Sequence, residues 1–186
     1  MVKIKNLKKL MEIAEVSTGI VLNRVEEKIG KNYKVFQYIG GDSSSYEIKS
    51  TKEISSNYIL EKGDIIFKTI YPCQAILVSE ENIGNILSSN FAKVRVKDPL
   101  ITPEFLVCFL NSRFVDKFYS KLIVGSVIKK ISLQGFREIL VPIPELETQK
   151  KISELDKKLS EKIFELQKLV NLTKEMQDFY MSELLK

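Results

Sequence analysis

Whatever chemistry this 186-residue chain performs, it performs without histidine. That absence removes the commonest general base, the usual nucleophilic triads and most zinc sites. The sequence also lacks a phosphate-cradling Gly-x-x-x-x-Gly-Lys loop, a glycine-rich methyl-donor loop and an Asn-Pro-Pro-aromatic tetrapeptide. Gly40-Gly41-Asp42 has no strand-loop-helix setting around it. Cys73 and Cys108, far apart and each in apolar surroundings, read as buried free thiols and not as a disulfide or metal site. No cofactor is implied. What remains are loop-like stretches rich in hydroxyls, amides, rings and amines: Gly41, Ser43, Ser44 and Tyr46; Lys68, Thr69, Tyr71 and Gln74; Gly125, Ser126, Lys129 and Lys130. Each stretch alone reads as a solvated surface turn as readily as a binding loop. Asn90 and Arg95 are weaker candidates, because a polar strand residue usually just faces solvent.

Charge agrees with binding without proving it. The net charge is +5. Residues 148–186 hold eight Lys against seven Asp or Glu, so most of the excess falls on the first 147 residues, with 21 basic and 17 acidic side chains. A modest basic surplus permits nucleic-acid binding. With no apolar run near 18 residues and no apolar block behind the charged N-terminus, neither a membrane span nor a signal peptide is expected, and the reading is a cytoplasmic protein.

The elements that must position these groups turn on one hinge. Val141-Pro142-Ile143-Pro144 cannot lie inside a helix, so a helix is expected to start at or just after Pro144, with Glu145 and Glu147 in its first turn. No proline or glycine interrupts it before Lys186, which divides the chain into a globular part, 1–143, and a helix, 144–186. Along that helix run Ile152, Leu155, Leu159, Ile163, Leu166, Leu169, Leu172, Met176 and Phe179. Eight steps over these 27 residues average about 3.4, near the spacing of about 3.5 for a coiled-coil seam. A helix of this length needs a partner for such a seam, unless it folds back over its own domain.

Upstream, residues 7–13 suggest a short helix or a helix-to-strand entry, closed by turn residues at Val16-Ser17-Thr18-Gly19. Strands are expected at 33–39 and 46–50, with a loop at 40–45 between them. A hairpin of 65–67 with 74–78, a strand over 85–96, and one amphipathic helix from Thr102-Pro103-Glu104 towards Tyr119 follow. A loop or short strand over 125–135 then leads to a strand over 136–143. The pattern is α+β, with no repeated βαβ unit.

Five of these segments, in order, resemble the specificity subunits of type I restriction-modification systems: residues 10–19, 38–42, 60–67, 102–106 and 125–152. The last is the most specific, a Gly-Ser loop, a strand ending Val141-Pro-Ile-Pro144, then Glu-Leu-Glu-Thr-Gln149-Lys150-Lys151-Ile152. The resemblance implies that the polar loops enter double-stranded DNA. It also implies that Gln149, Lys150 and Lys151, read as exposed, meet a DNA methyltransferase (modification) subunit. Such subunits usually carry two recognition domains, each followed by a long helix, packed antiparallel. One domain and one helix here imply a half-subunit whose second copy completes an antiparallel coiled coil and reads an inverted, gapped site. Catalysis would belong to the modification subunit, and any ATP-driven cleavage to a restriction subunit. Two other readings remain: an assembly protein that docks a partner through its helix without binding DNA, and a nuclease built on carboxylates such as Asp42 and Asp64.

Overall fold

The computed structural model describes residues 6–39, 41–124 and 129–185. Its chain order is β1 (Leu7–Lys9), α1 (Leu10–Ile13), β2 (Ala14–Thr18), β3 (Lys31–Ile39), β4 (Asp42–Ser50), β5 (Ile65–Lys68), β6 (Gln74–Leu77), β7 (Phe91–Val96), α2 (Pro103–Leu110), α3 (Arg113–Leu122), β8 (Ile123–Val124), β9 (Lys130–Ile131), α4 (Leu133–Arg137), β10 (Leu140–Pro142) and α5 (Leu146–Leu184). This is the mixed α/β architecture with a long last helix that the sequence implied.

The central sheet has the order β2-β7-β5-β6, antiparallel throughout. Side chains alternate across a strand, and β5 uses both faces. Ile65 and Phe67 point into the main core, while Ile66 joins a second cluster with Phe36, Leu60, Leu87 and Phe91. Phe67 stacks on Phe136 of α4 at 4.0 Å between ring centres and lies 5.5 Å from Tyr119 of α3. Tyr119 donates its hydroxyl to the Leu110 carbonyl at 2.8 Å, so its one polar atom is satisfied in the core. The β3–β4 hairpin covers the opposite face of the sheet through Phe36, which meets Phe91 edge to face. A Cβ on Gly19 would collide with the Leu87 and Ser88 carbonyls, so only glycine lets the chain leave β2 beside that turn.

Several boundaries differ from the sequence expectations. The helix-to-strand entry is the form found, α1 running into β2, but residues 16–18 are strand and not closing turns, because β7 pairs with β2 from Ala14↔Val96 to Thr18↔Ala92. The serine-rich stretch is strand, not loop: Ile39 pairs with Asp42, Tyr38 with Ser43 and Gln37 with Ser44, and Gly41 takes a φ of +104° at the turn. The strand expected over 85–96 begins only at Phe91. The single helix after Thr102 is two, because Asn111 spends its amide on the backbone of Ala75, 2.8 Å each way, and Ser112 caps a new helix. Residues 133–137 are helix α4 under a Ser132 cap, so only Leu140–Pro142 of the expected 136–143 strand is strand.

Candidate nucleic-acid interface

The hinge works as its prolines require. β10 pairs with β1, Leu7 opposite Pro142, and α5 begins at Leu146 with Glu145 as its N-cap residue and Glu147 in the first turn. What fixes the helix to the domain is Gln149. It is fully buried, accepts the Thr102 N–H at 2.9 Å and donates to the carbonyls of Leu100 at 2.7 Å and Pro144 at 2.8 Å. All three of those bonds sit inside the protein, which corrects the expectation that Gln149 is exposed; Lys150 and Lys151 are exposed as expected. The loop that Gln149 reads is itself held by Asp98, which accepts from Lys8 at 2.6 Å and from the Leu100 N–H at 2.9 Å. Lys8 first, and the Leu100 N–H second, hold the Asp98 carboxyl below its ordinary pKa.

Beyond its first turns α5 is open. Ile152, Leu155, Leu159, Ile163, Leu166, Leu169, Leu172, Met176 and Phe179 are all exposed, so the helix does not fold back to cover them with its own domain. Their directions differ. At about 100° per residue, Leu159, Ile163, Leu166 and Val170 stay within roughly 40° of Ile152, whereas Leu172 and Phe179 fall roughly 160° to 180° away on a straight helix. Leu172 accordingly lines a cleft of about 590 Å³ with Phe164 and the hairpin tip at Gly41 and Asp42, while Ile163 and Leu166 face elsewhere with Val170.

The polar residues singled out from the sequence come from distant segments, and the fold gathers most of them. The loop after β5 is stitched to two others. Thr69 bonds the Asn90 carbonyl through its N–H at 3.0 Å and its hydroxyl at 2.8 Å, and its own carbonyl accepts from Ile131. The Tyr71 N–H donates to the Lys129 carbonyl at 2.9 Å, and Lys130 donates its ammonium to the Ser89 carbonyl. Lys68 lies at the end of β5 opposite Gln74. Lys68 and Tyr46 line one cleft of about 460 Å³ together with Gln37, Tyr38 and Asn90. Partial burial raises the Tyr46 hydroxyl pKa, with Glu26 adding to it, so the group stays a neutral donor. Ser43 and Ser44 stand exposed on β4 beside that cleft, and Tyr71 is partly exposed.

Two candidates are placed differently. Thr69, only 1% exposed, has both backbone and hydroxyl committed internally, so it braces the loop and offers nothing to a ligand. Arg95 is not a free solvent-facing cation: it bonds Asp64 at 2.6 and 2.8 Å and reaches Glu61 at 3.1 Å. Those acids push its pKa up, Asp64 foremost, and Asp64 itself is buried in the pair. Gly125 and Ser126 lie outside the described residues. Gln37 and Tyr38 were missed as site residues. Their signal was the alternation of β3, readable only once the serines opposite them were recognised as strand.

Cys73 and Cys108 are free and half-buried, and burial pushes their thiols up to about 12 and about 11. Among the described residues, no group of three or more His, Cys, Asp or Glu is placed to hold a metal ion, and no helix is long and apolar enough to cross a membrane.

The fold thus gathers hydroxyls, amides, rings and amines beside one cleft of an α+β domain that carries a long projecting helix. The model of the type I restriction modification DNA specificity domain matches residues 3–174, and the chain belongs to that family. Comparison with curated proteins returns no match. Among solved structures it is similar to the S subunit of the type I restriction-modification system from M. genitalium, at 18% identity and a TM-score of 0.59, over 94% of this chain and 44% of that one. The HsdS subunit from Thermoanaerobacter tengcongensis is similar at 21% identity and 0.62, over 88% of this chain and 44% of that one. A chain from work on complex assembly and conformational transition of the type I R-M system gives 21%, 0.63, 88% and 44%. This chain therefore spans less than half the length of these structures, and at such identities the likeness is one of fold.

Proposed function

We propose that this chain is a non-catalytic DNA-reading subunit of a type I restriction-modification system. Two copies pair through α5 to read two inverted half-sites separated by a gap. The observation that carries the proposal is convergence: β3, β4, the loop after β5, the 88–90 turn and the 129–130 segment meet on one face of a domain that matches a DNA specificity family. Gln37 and Asn90 have the bidentate amides that suit adenine edges, Lys68 suits guanine or phosphate, and Tyr38 and Tyr46 supply rings and hydroxyls. Phosphate contacts give affinity that falls steeply with salt.

The helix sets the spacing. An antiparallel pair would hold the two reading faces about one helix length apart, roughly 60 Å at 1.5 Å per residue, and two-fold symmetry in the protein requires an inverted site in the DNA. The exposed Lys150 and Lys151 at the base of α5 are the proposed contact for a methyltransferase subunit. Base extrusion and methyl transfer belong to that partner. Where a restriction subunit joins, it adds cleavage.

Selection of the full chain on random duplexes, with sequencing of the bound pool, tests this. Enrichment of an inverted gapped motif is expected. Absence of any motif, both alone and with the modification subunit, would leave a protein that docks through its helix without reading DNA.

A further inference from the structure

An apolar hollow of about 750 Å³ lies between α3 and the β1–β10 pair, on the strand that leads into α5. Phe114, Phe118, Leu7 and Leu140 line it, at 63%, 45%, 58% and 51% exposure, and Pro142 closes the edge from which the chain enters the hinge. Four large apolar side chains this open around one hollow are unusual on a surface that nothing covers. A hollow within roughly 300–1,000 Å³ accepts a few large side chains.

A matching excess sits at the far end of the chain. The last turns of α5 expose Tyr180, Met181, Leu184 and Leu185 at 62%, 58%, 78% and 84%. These residues lie 34 to 39 positions beyond Leu146, so a straight helix carries them roughly 50–60 Å from its own base. The tip therefore cannot reach the hollow of its own domain. In an antiparallel pair of equal, fully overlapped helices, the tip of one lies level with the base of the other. Tyr180, Met181 and Leu184 of one copy then arrive at the hinge of its partner, where Leu140 and Pro142 form the rim.

We propose that the apolar tip of α5 docks in the hollow of Leu7, Phe114, Phe118 and Leu140 on a second copy of the same chain. The inference rests on the antiparallel pairing proposed above and adds a second contact at each end of it. The two contacts clamp each recognition domain against the helix of its partner and fix the angle between the reading faces. They add to the contacts that Gln149 and α2 make with the base of α5 inside each copy.

Cysteine pairing between copies tests this on the full chain with Cys73→Ala and Cys108→Ala. One population carries Leu184→Cys and the other Phe118→Cys; both sites are exposed, so both variants are expected to fold. After mixing and mild oxidation, a covalent dimer is expected in the mixture, about tenfold or more above either population alone, because docking raises the local thiol concentration towards the millimolar range. A dimer by mass that forms no 184–118 link, with Leu140→Cys as a second acceptor also unlinked, overturns the docking and leaves the paired helices standing. A monomer by mass, or strong 184–184 linkage in the Leu184→Cys population alone, overturns the antiparallel pairing itself.

Discussion

The domain and the helix of this protein are incomplete in opposite ways. Apart from the hollow of Leu7, Phe114, Phe118 and Leu140, the domain buries most of its large apolar residues within itself and leaves hydroxyls, amides and amines gathered outside, as around the cleft of Tyr46, Lys68 and Asn90. The helix does the reverse. Some of its charges pair along its own surface, Lys151 with Glu147 at 2.7 Å and Lys162 with Glu165 at 3.0 Å, while its leucines stay in water. Exposed pairs of that kind contribute only about 0.3–0.5 kcal/mol each, so they cannot account for 39 residues of ordered helix. Each region leaves a different surface open: the domain a polar cleft, the helix an apolar stripe.

Four substitutions or conditions separate the two. The largest effect is expected from Leu159→Asp combined with Leu166→Asp. Each removes a side chain worth about 2–5 kcal/mol once buried in a paired seam, and the dimer should dissociate while the domain melts unchanged. Sedimentation and circular dichroism on the same sample check this; a large loss of domain stability would mean that the seam packs on the domain after all.

Gln149→Ala comes next. It strands the Thr102 N–H and the Leu100 and Pro144 carbonyls, and losing buried partners costs about 1–3 kcal/mol per group. Hydrogen exchange should rise in the first turns of α5 and in residues 100–102, with the central sheet protected as before. Smaller again is Lys68→Ala, which should flatten the salt dependence of DNA affinity by about one unit of slope and leave the dimer intact.

The smallest effect concerns pH. Because the folded Asp98 carboxyl lies below its ordinary value, its contribution to stability is present above the unfolded pKa, about 3.9 for an aspartate, and is lost as pH falls through the folded value. Asp98→Asn should therefore melt lower than the parent near neutrality and show a shallower decline below about pH 4, measured as melting temperature against pH.

What the sequence made legible was local. Proline chemistry placed the start of α5 within two residues, the Thr102-Pro103 cap placed α2, and the β5–β6 hairpin followed from its apolar runs. What it hid was decided by partners far along the chain. Serines 43–45 are poor strand formers, yet they are strand because β3 pairs with them. Asn111 breaks a helix for the sake of Ala75, 36 residues away. Gln149 looked exposed because a glutamine beside lysines usually is, and only the fold of the 98–102 loop makes it a buried rivet. The candidate site shows the same division: residue types pointed to segments that the fold brings beside one cleft, but Thr69 and Arg95 are spent on internal bonds that no local pattern announces.

The most direct test of paired reading is the solution mass of the full chain at micromolar concentration. Twice 21.4 kDa is expected, falling to 21.4 kDa with Leu159→Asp and Leu166→Asp together with loss of the gapped, inverted motif. A parent protein that sediments at 21.4 kDa and still selects that motif would contradict the account.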